Sequence, residues 1–390
     1  MAEAPAQQTQ QTQQAQQTQQ TQQTQQAQQA QAHQSLCLIM IVKNEKHVIE
    51  RSLNSILPFV DSWCIVDTGS TDSTMEQIKA TTAAHNKPGI LHERPWVNFG
   101  HNRTELLELG RSTDAKWFFM LDADDIVIPN GKEQFKNLLN PTFDTYHITL
   151  KRGSLTYKRP VIFNSRPWVF KGALHEYAHL DNARHADLPR VTIDARVEGA
   201  RSQNPNKYLD DAVLIEADFV KNPDPRSAFY CAQSWRDCGN NEKAVEWYIK
   251  RTTMGGWHQE IYIAYLNLVR LSQDLETKLR YAWAALDVSP RVEATQAVLE
   301  YMRQKGIWSK QGYALAINTA QAVSKKTNWA DDLFVEEGLV FKLYDEVCIH
   351  SFYTGHHESC ILYGMKAYFM APDHEKARVL NNVKFSIDKI

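Results

Sequence analysis

One stretch decides the fold of this 390-residue chain: Trp117-Phe118-Phe119-Met120-Leu121-Asp122-Ala123-Asp124-Asp125. Its five leading apolar residues fit a strand that is buried on both faces, as strands of parallel sheets are. Three aspartates follow this strand within four positions. Because ligands bind beyond the carboxyl ends of strands in open α/β sheets, the junction predicts both a fold class and a site.

Strand-like and helix-like segments alternate on both sides of this stretch. Leu36–Val42 (LCLIMIV) is a continuous apolar run, and residues 63–66 (WCIV) form a second one. Segments with apolar residues at helical spacing separate the strands, at residues 44–59, 75–84 and 103–111. This alternation of strands and helices predicts an α/β domain with an open, mostly parallel sheet and helices on both faces.

The composition of the chain changes on each side of this α/β domain. Residues 7–31 are a Gln-Gln-Thr/Ala repeat without aromatic or charged residues, so we expect a disordered tail over 1–34. Beyond residue 205 strand signals nearly vanish, and residues 229–248 show the Trp-x2-Cys-Gly and Ala-x3-Tyr spacings of a tetratricopeptide helix pair. We therefore predict the α/β domain over 35–205 and an all-α, tetratricopeptide-like domain over 206–390.

Composition also excludes several classes of protein. A net charge of −2 and a pI near 6.7 provide no general basic surface for nucleic acid. The longest unbroken apolar run is Leu36–Val42, whereas a membrane span needs about 20 residues, so none is predicted. Six cysteines in a chain this long do not make a disulfide scaffold, and no Lys or Arg precedes Lys43 to form the basic start of a secretory signal. We expect a cytoplasmic protein.

Polar residues stand at the predicted carboxyl ends of three strands. The first strand ends at Val42-Lys43-Asn44-Glu45, the second at Asp67-Thr68-Gly69-Ser70, and the third at the three aspartates after Leu121. Carboxylates that converge on one edge repel each other unless a cation or a hydrogen-bond donor lies among them. An all-oxygen site suits Mg²⁺ or Mn²⁺, which would also hold a substrate phosphate. Gly69 would let the backbone approach that ligand, and Arg103 could pair with a phosphate oxygen.

The motifs stand in a specific order along the chain: 43–45 (KNE), 67–72 (DTGSTD), 99–103 (FGHNR) and 121–125 (LDADD). Together they resemble family 2 glycosyltransferases of the GT-A fold. The segment 166–176 (RPWVFKGALHE) is similar to the Gly-x-x-His-Glu stretch in the branch of that family with appended tetratricopeptide-like helices. The resemblance covers residues 36–205 well and the helical part more loosely.

The resemblance implies contacts to a nucleotide-sugar, with a UDP-sugar favoured, and to a divalent metal ion. Val42 and Glu45 would border the base and ribose, and Asp67 would accept a hydrogen bond from the base. Further nucleotide contacts would come from Gly69, Arg103 and Asp122. Mn²⁺ or Mg²⁺ would be bound by the DxD pair Asp122 and Asp124, with His175 as an additional ligand.

The resemblance also implies a reaction. The family inverts the anomeric centre in a single displacement, in which a carboxylate deprotonates the acceptor hydroxyl. Glu176 is the predicted base, Asp125 lies close to the reacting groups, and Asp181 and Asp187 are alternatives to Glu176. The expected enzyme is a hexosyltransferase-type glycosyltransferase acting on a glycan, protein or lipid-linked acceptor. The helical domain would present or select this acceptor, or form a homodimer.

Other interpretations stay open. The chain could be a tetratricopeptide-type scaffold with a catalytically inactive transferase-like domain, although carboxylates at successive strand ends disfavour this. A nucleotidyltransferase is disfavoured because no Gly-rich phosphate loop lies near the first strand. Soft ligands for zinc occur at Cys348, His350, His356, His357 and Cys360, although their spacing fits no familiar zinc module.

One glycosylation sequon, Asn102-Arg103-Thr104, lies inside the predicted nucleotide site. A glycan attached there would block that site, which agrees with a protein that avoids the secretory lumen.

Overall fold

The computed structural model describes residues 34–131, 135–153, 155–327, 332–333 and 339–390. The predicted disordered tail, apart from residue 34, lies outside the described residues. The chain divides into two compact units, one ending at Lys207 and the other beginning at Tyr208. The predicted fold class, a mostly parallel α/β sheet followed by helices, is confirmed.

An eight-stranded sheet forms the centre of the first unit. In spatial order its strands are β3 (Gly89–Glu93), β2 (Ser62–Asp67), β1 (Leu36–Val42), β4 (Trp117–Met120), β7 (Leu155–Asn164), β6 (Thr145–Arg152), β10 (His185–Asp194) and β5 (Ile126–Pro129). The first four strands run parallel, and β7 pairs antiparallel with both β4 and β6. A separate antiparallel pair consists of β8 (Val169–Lys171) and β9 (Tyr177–His179).

Helices α1 (Ile49–Ile56), α2 (Thr74–Ala84) and α3 (Phe99–Arg111) connect the parallel strands. The apolar periodicity predicts that the first of them begins at residue 44, but α1 begins five residues later. Asn44 has a left-handed φ of 58°, which a helix interior excludes, and the amides of Val48 and Ile49 first close a turn onto the carbonyl of Glu45. Residues 43–48 are thereby left at the edge of the sheet.

Apolar side chains cover both faces of the sheet, as a βαβ arrangement requires. Leu38 and Met40 of β1 pack into one core with Leu53 of α1, whereas Cys37 and Ile39 pack into another. The second core includes Leu106 and Leu107 of α3. Successive residues of β1 therefore face opposite layers, so a single apolar run serves two cores.

The later strands are less regular than the early ones. The sequence predicts strands at 146–150 and 161–163, and β6 and β7 extend both of them into a long antiparallel pair. Strand β10 was not predicted, because its polar residues and Pro189 hide the strand pattern. A shift of register between Asp187 and Thr192 accommodates the proline.

Helices form the second unit within the described residues. They are α4 (Lys207–Lys221), α5 (Pro225–Asp237), α6 (Asn241–Thr253), α7 (His258–Leu271), α8 (Leu275–Val288), α9 (Glu293–Gln304), α10 (Lys310–Ser324), α11 (Leu339–Tyr353), α12 (His357–Met370) and α13 (Asp373–Ile387). The small residues Ala232 and Ala244 and the large residues Trp235 and Tyr248 of the tetratricopeptide-like spacing are buried in α5 and α6. In the described ranges, no helix has the length and apolar character needed to cross a membrane.

Candidate active site

The segments that follow β1 and β2 lie side by side at the carboxyl end of the sheet. Val42 and Asp67 are partners in the parallel register, and the Thr68 amide donates to the Val42 carbonyl over 2.9 Å. The Asn44 amide donates to Ser70 Oγ over 2.8 Å, and the Asn44 side-chain oxygen accepts the Thr71 amide over 2.7 Å. The 43–45 and 67–72 motifs therefore form one continuous wall.

Asp67 presents an unused acceptor at this wall. Its side chain is 1% exposed, and Oδ1 accepts the amides of Gly69 at 2.9 Å and Ser70 at 2.8 Å. Its other oxygen, Oδ2, is buried without a hydrogen-bond partner in the described structure. A buried carboxylate oxygen is costly to leave unpaired, so a ligand N–H or O–H would be well placed here. The bend that supplies the two amides uses Gly69 at φ 103°.

Two arginines hold Asp122 at the end of β4. Arg103 of α3 donates to Oδ1 over 2.8 Å, and Arg159 of β7 donates to Oδ2 over 2.9 Å. Burial alone would raise the pKa of Asp122, but the charges and hydrogen bonds of the two guanidinium groups outweigh it and hold the pKa well below its usual range. Asp122 is therefore an anion at any physiological pH, with a fixed orientation.

Arg103 also links Asp122 to Glu176. Its Nε lies 2.8 Å from Glu176 Oε1, although the N–H does not point at that oxygen, so the contact is an ion pair and not a hydrogen bond. Close packing makes this contact possible. A Cβ on Gly100 would lie 2.3 Å from the Gly172 carbonyl oxygen, and the Phe99 amide donates to the Ala173 carbonyl over 3.0 Å. The 99–103 motif and the Gly-x-x-His-Glu motif thus meet directly.

Asp125 lies beneath this network and is 3% exposed. Its Oδ1 accepts the Arg196 amide at 3.2 Å, and its Oδ2 lies 3.4 Å from Arg159. Burial, followed by the charge of Asp122, raises the pKa of Asp125 to about 8. Arg159 thus serves two carboxylates, and the deeper one favours its neutral form near neutral pH.

Among the described residues, Asp124 and Glu45 are held by backbone amides and not by arginines. Asp124 Oδ2 accepts the amides of Glu198 at 3.0 Å and Gly199 at 2.9 Å, and the Glu45 carboxylate accepts the Ala200 amide at 3.1 Å. A Cβ on Gly199 would lie 3.2 Å from Glu45 and 3.3 Å from Asp124, so the two carboxylates flank this glycine. Burial, and the charge of Asp124 to a smaller extent, raise the pKa of Glu45.

The segment that supplies these amides is anchored on α1 and on the turn before it. His47 bonds to the Glu198 carbonyl at 2.7 Å, Arg51 forms an ion pair with the Glu198 carboxylate, and the Gln203 side chain donates to the same carbonyl over 3.1 Å. Residues 198–203 therefore lie against the Asp124 end of the site in this structure.

Of the remaining predicted residues, His175 adjoins Glu176 in the chain, whereas Asp181 and Asp187 lie apart from this arrangement. His175 is exposed and has a φ of 53°, and Asp181 pairs with His179 while its own side chain is 90% exposed. Asp187 pairs with Lys158, the neighbour of Arg159 in β7. Since successive side chains of a strand point to opposite faces, Asp187 lies on the face of the sheet opposite Arg159 and Asp122. Of the three candidate bases, only Glu176 contacts the network.

Three contributors to the site were not predicted from the sequence: Arg159, Arg196 and the 198–200 segment. Arg159 stands in a polar part of β7, and Gly199 follows a loop without any motif, so neither carries a local signal. Their positions result from the pairing of β7 beside β4 and of β10 beside β5.

The residues present fit a divalent cation only in part. Within the described residues no group of three or more His, Cys, Asp or Glu side chains is arranged to hold a metal ion, and both oxygens of Asp122 bind arginine. Asp124 and Glu45 form an acidic pair for which the described residues supply no salt bridge from lysine or arginine. Because Mg²⁺ in nucleotide sites takes one or two carboxylates and completes its shell with phosphates and water, this pair fits such an ion.

The sequon Asn102 has a structural role. It is fully buried, its amide group donates to the Pro95 carbonyl over 3.1 Å, and its oxygen accepts the Val97 amide at 3.0 Å. The folded protein therefore cannot carry a glycan at this residue.

Comparison with known families agrees with this geometry. Residues 37–167 match the model of Glycosyl transferase family 2, so the resemblance predicted from the motifs is confirmed for the part of the chain that contains Asp67, Asp122 and Asp124. The match and the mostly parallel sheet together confirm the predicted GT-A fold with appended helices. No curated protein matches the chain.

Solved structures show more distant likeness. The structure of S. aureus TarS 1-349 in complex with UDP-GlcNAc is 14% identical with a TM-score of 0.39, covering 71% of this chain and 93% of that chain. The structure of MamA is 11% identical with a TM-score of 0.32, covering 44% and 92%. TTC0263, a thermophilic TPR protein of Thermus thermophilus, is 16% identical with a TM-score of 0.26, covering 46% and 91%.

Proposed function

We propose that this chain, whose residues 37–167 match the family 2 model, is a metal-dependent, inverting glycosyltransferase. It would transfer a sugar from a nucleotide-sugar, with a UDP-sugar favoured, to a hydroxyl of a glycan, protein or lipid-linked acceptor. The observation that carries the proposal is the convergence of Asp67, Asp122 and Asp124 at the carboxyl ends of β2 and β4, the two parallel strands on either side of β1, inside the matched segment.

The buried oxygen of Asp67 supports recognition of the base. An unpaired carboxylate oxygen accepts an N–H, and the ring of uracil offers one at N3, where cytosine presents an acceptor. This favours uridine over cytidine in the donor. Val42, the register partner of Asp67, and Gly69, beside which the structure is open, would border the base.

Asp122 and Arg103 would orient the ribose and the diphosphate. Each oxygen of Asp122 receives one arginine bond and keeps a lone pair, which can accept a ribose hydroxyl. Because Arg103 also pairs with Glu176, one guanidinium group would connect the donor side of the site with the proposed base.

A divalent cation would be held by Asp124 with Glu45 beside it. The amides of residues 198 and 199 bind only Oδ2 of Asp124, which leaves Oδ1 for the ion. Such an ion would supply positive charge to stabilise the departing nucleoside diphosphate. The two arginines compensate the negative charge of Asp122, so this residue would orient the donor instead of binding the ion.

Glu176 would accept the proton of the acceptor hydroxyl. Its side chain is 12% exposed and anchored by Arg103, so its position is defined before the acceptor arrives. A base that acts in a single displacement predicts a product with inverted anomeric configuration.

A screen of UDP-, GDP- and dTDP-sugars tests the proposal. We expect metal-dependent hydrolysis, and thermal stabilisation by Mn²⁺ together with one UDP-sugar. The anomeric configuration of the product, read by NMR, should be inverted. Absence of stabilisation and turnover with all three classes would overturn the proposal, and retention of configuration would overturn the mechanism.

A further inference from the structure

Two cysteines of the second unit lie in direct contact. Cys348 of α11 and Cys360 of α12 are both fully buried and free, and their Sγ atoms are 3.2 Å apart. A disulfide has an S–S distance of about 2.05 Å, so the two sulfurs need to approach each other by about 1.2 Å to form a bond.

Gly364, one helical turn after Cys360, makes this contact possible. A Cβ at this position would lie 2.9 Å from Cys348 Sγ and 2.4 Å from Val383 Cγ2, so any larger residue would push the thiol away. Half-buried Phe352 and Met365 pack around the pair. The site is therefore a close helix crossing with two thiols at its centre.

The histidines of the same segment do not form a metal site with these thiols. His350 packs against Trp308 with ring centroids 4.9 Å apart, and His356 stacks on Tyr313 at 3.8 Å. Within the described residues, no set of three such ligands converges. The chemistry of the pair is therefore that of thiols.

A polar path connects Cys360 to the surface. Ser386 of α13 lies close enough to Cys360 to lower the pKa of that thiol, and its Oγ lies 3.2 Å from Nδ1 of His357, which is half-buried. A hydrogen bond from Cys348 lowers the pKa of Cys360 to about 7, with a smaller contribution from Ser386, while the same contact and burial raise the pKa of Cys348. Cys360 is thus the thiol that loses its proton first.

We propose that Cys348 and Cys360 are a peroxide-oxidisable dithiol, and that their disulfide links α11 to α12. The Cys360 thiol passes its proton to Ser386 and His357, and the thiolate attacks one oxygen of hydrogen peroxide and becomes a sulfenic acid as the O–O bond breaks. The departing hydroxide takes up the proton that His357 received and leaves as water. The Cys348 thiol then attacks the sulfenic sulfur, the S–S bond forms, and the hydroxyl leaves with the Cys348 proton as a second water. The two thiols together lose two electrons, and one peroxide is reduced.

The test is peroxide treatment of the full-length, reduced chain, followed by proteolysis without reductant and mass spectrometry. We expect a cross-linked peptide that contains Cys348 and Cys360 and has lost two hydrogen atoms, together with an increase in Tm that a reductant reverses. Cys238→Ala, at a half-exposed cysteine elsewhere in the same unit, should leave the cross-link unchanged. A reduced pair after treatment, or sulfinic acid on Cys360 without a cross-link, would overturn the proposal.

The rate of oxidation tests the proton path. His357→Gln should slow cross-linking by about tenfold, the change that accompanies a one-unit rise in thiol pKa, without changing the product. His356→Gln is the matched control, since His356 stacks on Tyr313 and lies outside the path. Equal rates for both variants would show that His357 carries no proton. The readout is independent of glycosyl transfer, so it does not depend on the proposed function.

Discussion

Two groups of carboxylates lie at the same edge of the sheet and are held in different ways. Asp122, Asp125 and Glu176 share the two arginines 103 and 159, so their charge is already compensated. Within the described part of the chain, Asp124 and Glu45 instead receive backbone amides from residues 198–200. Amide dipoles compensate less charge than a guanidinium group, so the second group is where an additional cation would gain most.

The difference separates two roles within a four-residue stretch. Asp122 points into the arginine network and Asp124 points away from it, as the DxD spacing allows. The first group would orient substrates before the reaction, and the second would hold the metal ion. The following variants separate these roles, from the largest expected effect to the smallest.

Asp124→Asn should have the largest effect. Loss of the carboxylate removes the proposed metal ligand, and transfer should fall about a thousandfold. The fold should persist, because the side chain is only half-buried and an amide oxygen can still accept the amides of 198 and 199. Steady-state kinetics and thermal unfolding check both parts.

The matched control for that variant is Asp181→Asn, at an exposed carboxylate that pairs with His179. It should keep near-normal transfer. If Asp181→Asn loses activity while Glu176 variants keep it, the base has been assigned to the wrong residue.

Glu176→Gln should lower kcat by about a hundredfold, the loss expected for one proton-transfer group. Glutamine keeps the shape and the contact distance to Arg103, so the Kd for UDP should change little. Kinetics together with calorimetry separate the two quantities. A loss confined to UDP affinity would make Glu176 a donor-binding residue.

Arg159→Met should mainly affect stability. The substitution removes the cation that Asp122 and Asp125 share, and it should lower the free energy of unfolding by about 2 kcal/mol. This loss is smaller than for a fully buried ion pair, because the Arg159 side chain is one-third exposed. Urea unfolding measures the loss. Adding Asp125→Asn should restore part of it, and a double variant no more stable than the single one would contradict the shared-cation arrangement.

The raised pKa of Asp125 makes stability depend on pH, and the sign of this dependence is fixed. Because the folded pKa of about 8 exceeds the usual 3.8, this carboxyl stabilises the fold most at low pH, and that contribution is lost as pH rises from about 4 to 8. The neutral variant Asp125→Asn should therefore gain stability relative to the wild type over this range. Urea unfolding at pH 5 and pH 8 compares the two, and a constant difference would contradict the raised pKa.

The early half of the first unit was predictable from its sequence. Leu36–Val42 and the 117–121 run have local apolar signals that only buried strands explain, and the DADD sequence follows directly. The late half was not predictable. Apolar and polar residues alternate irregularly around Pro189 in β10, and the pairing of this strand depends on residues that are distant in the chain.

The site followed the same division. Asp67, Asp122 and Asp124 stand at the ends of recognisable strands, and the structure brings them to one edge. Arg159 reaches that edge only because β7 pairs antiparallel with β4, and Gly199 only because β10 pairs antiparallel with β5. A lone arginine in a polar strand has no distinctive sequence signal. The division of the aspartates between arginine-bound and amide-bound groups could not be derived without those partners.

Calorimetric titration of UDP, with and without Mn²⁺, into the wild-type chain and into Asp124→Asn tests the central claim most directly. We predict that Mn²⁺ strengthens UDP binding to the wild type by at least about tenfold and has no such effect on the variant, while metal-free UDP binds both with similar affinity. Equal strengthening in both proteins, or UDP binding to the wild type that ignores Mn²⁺, would contradict the account.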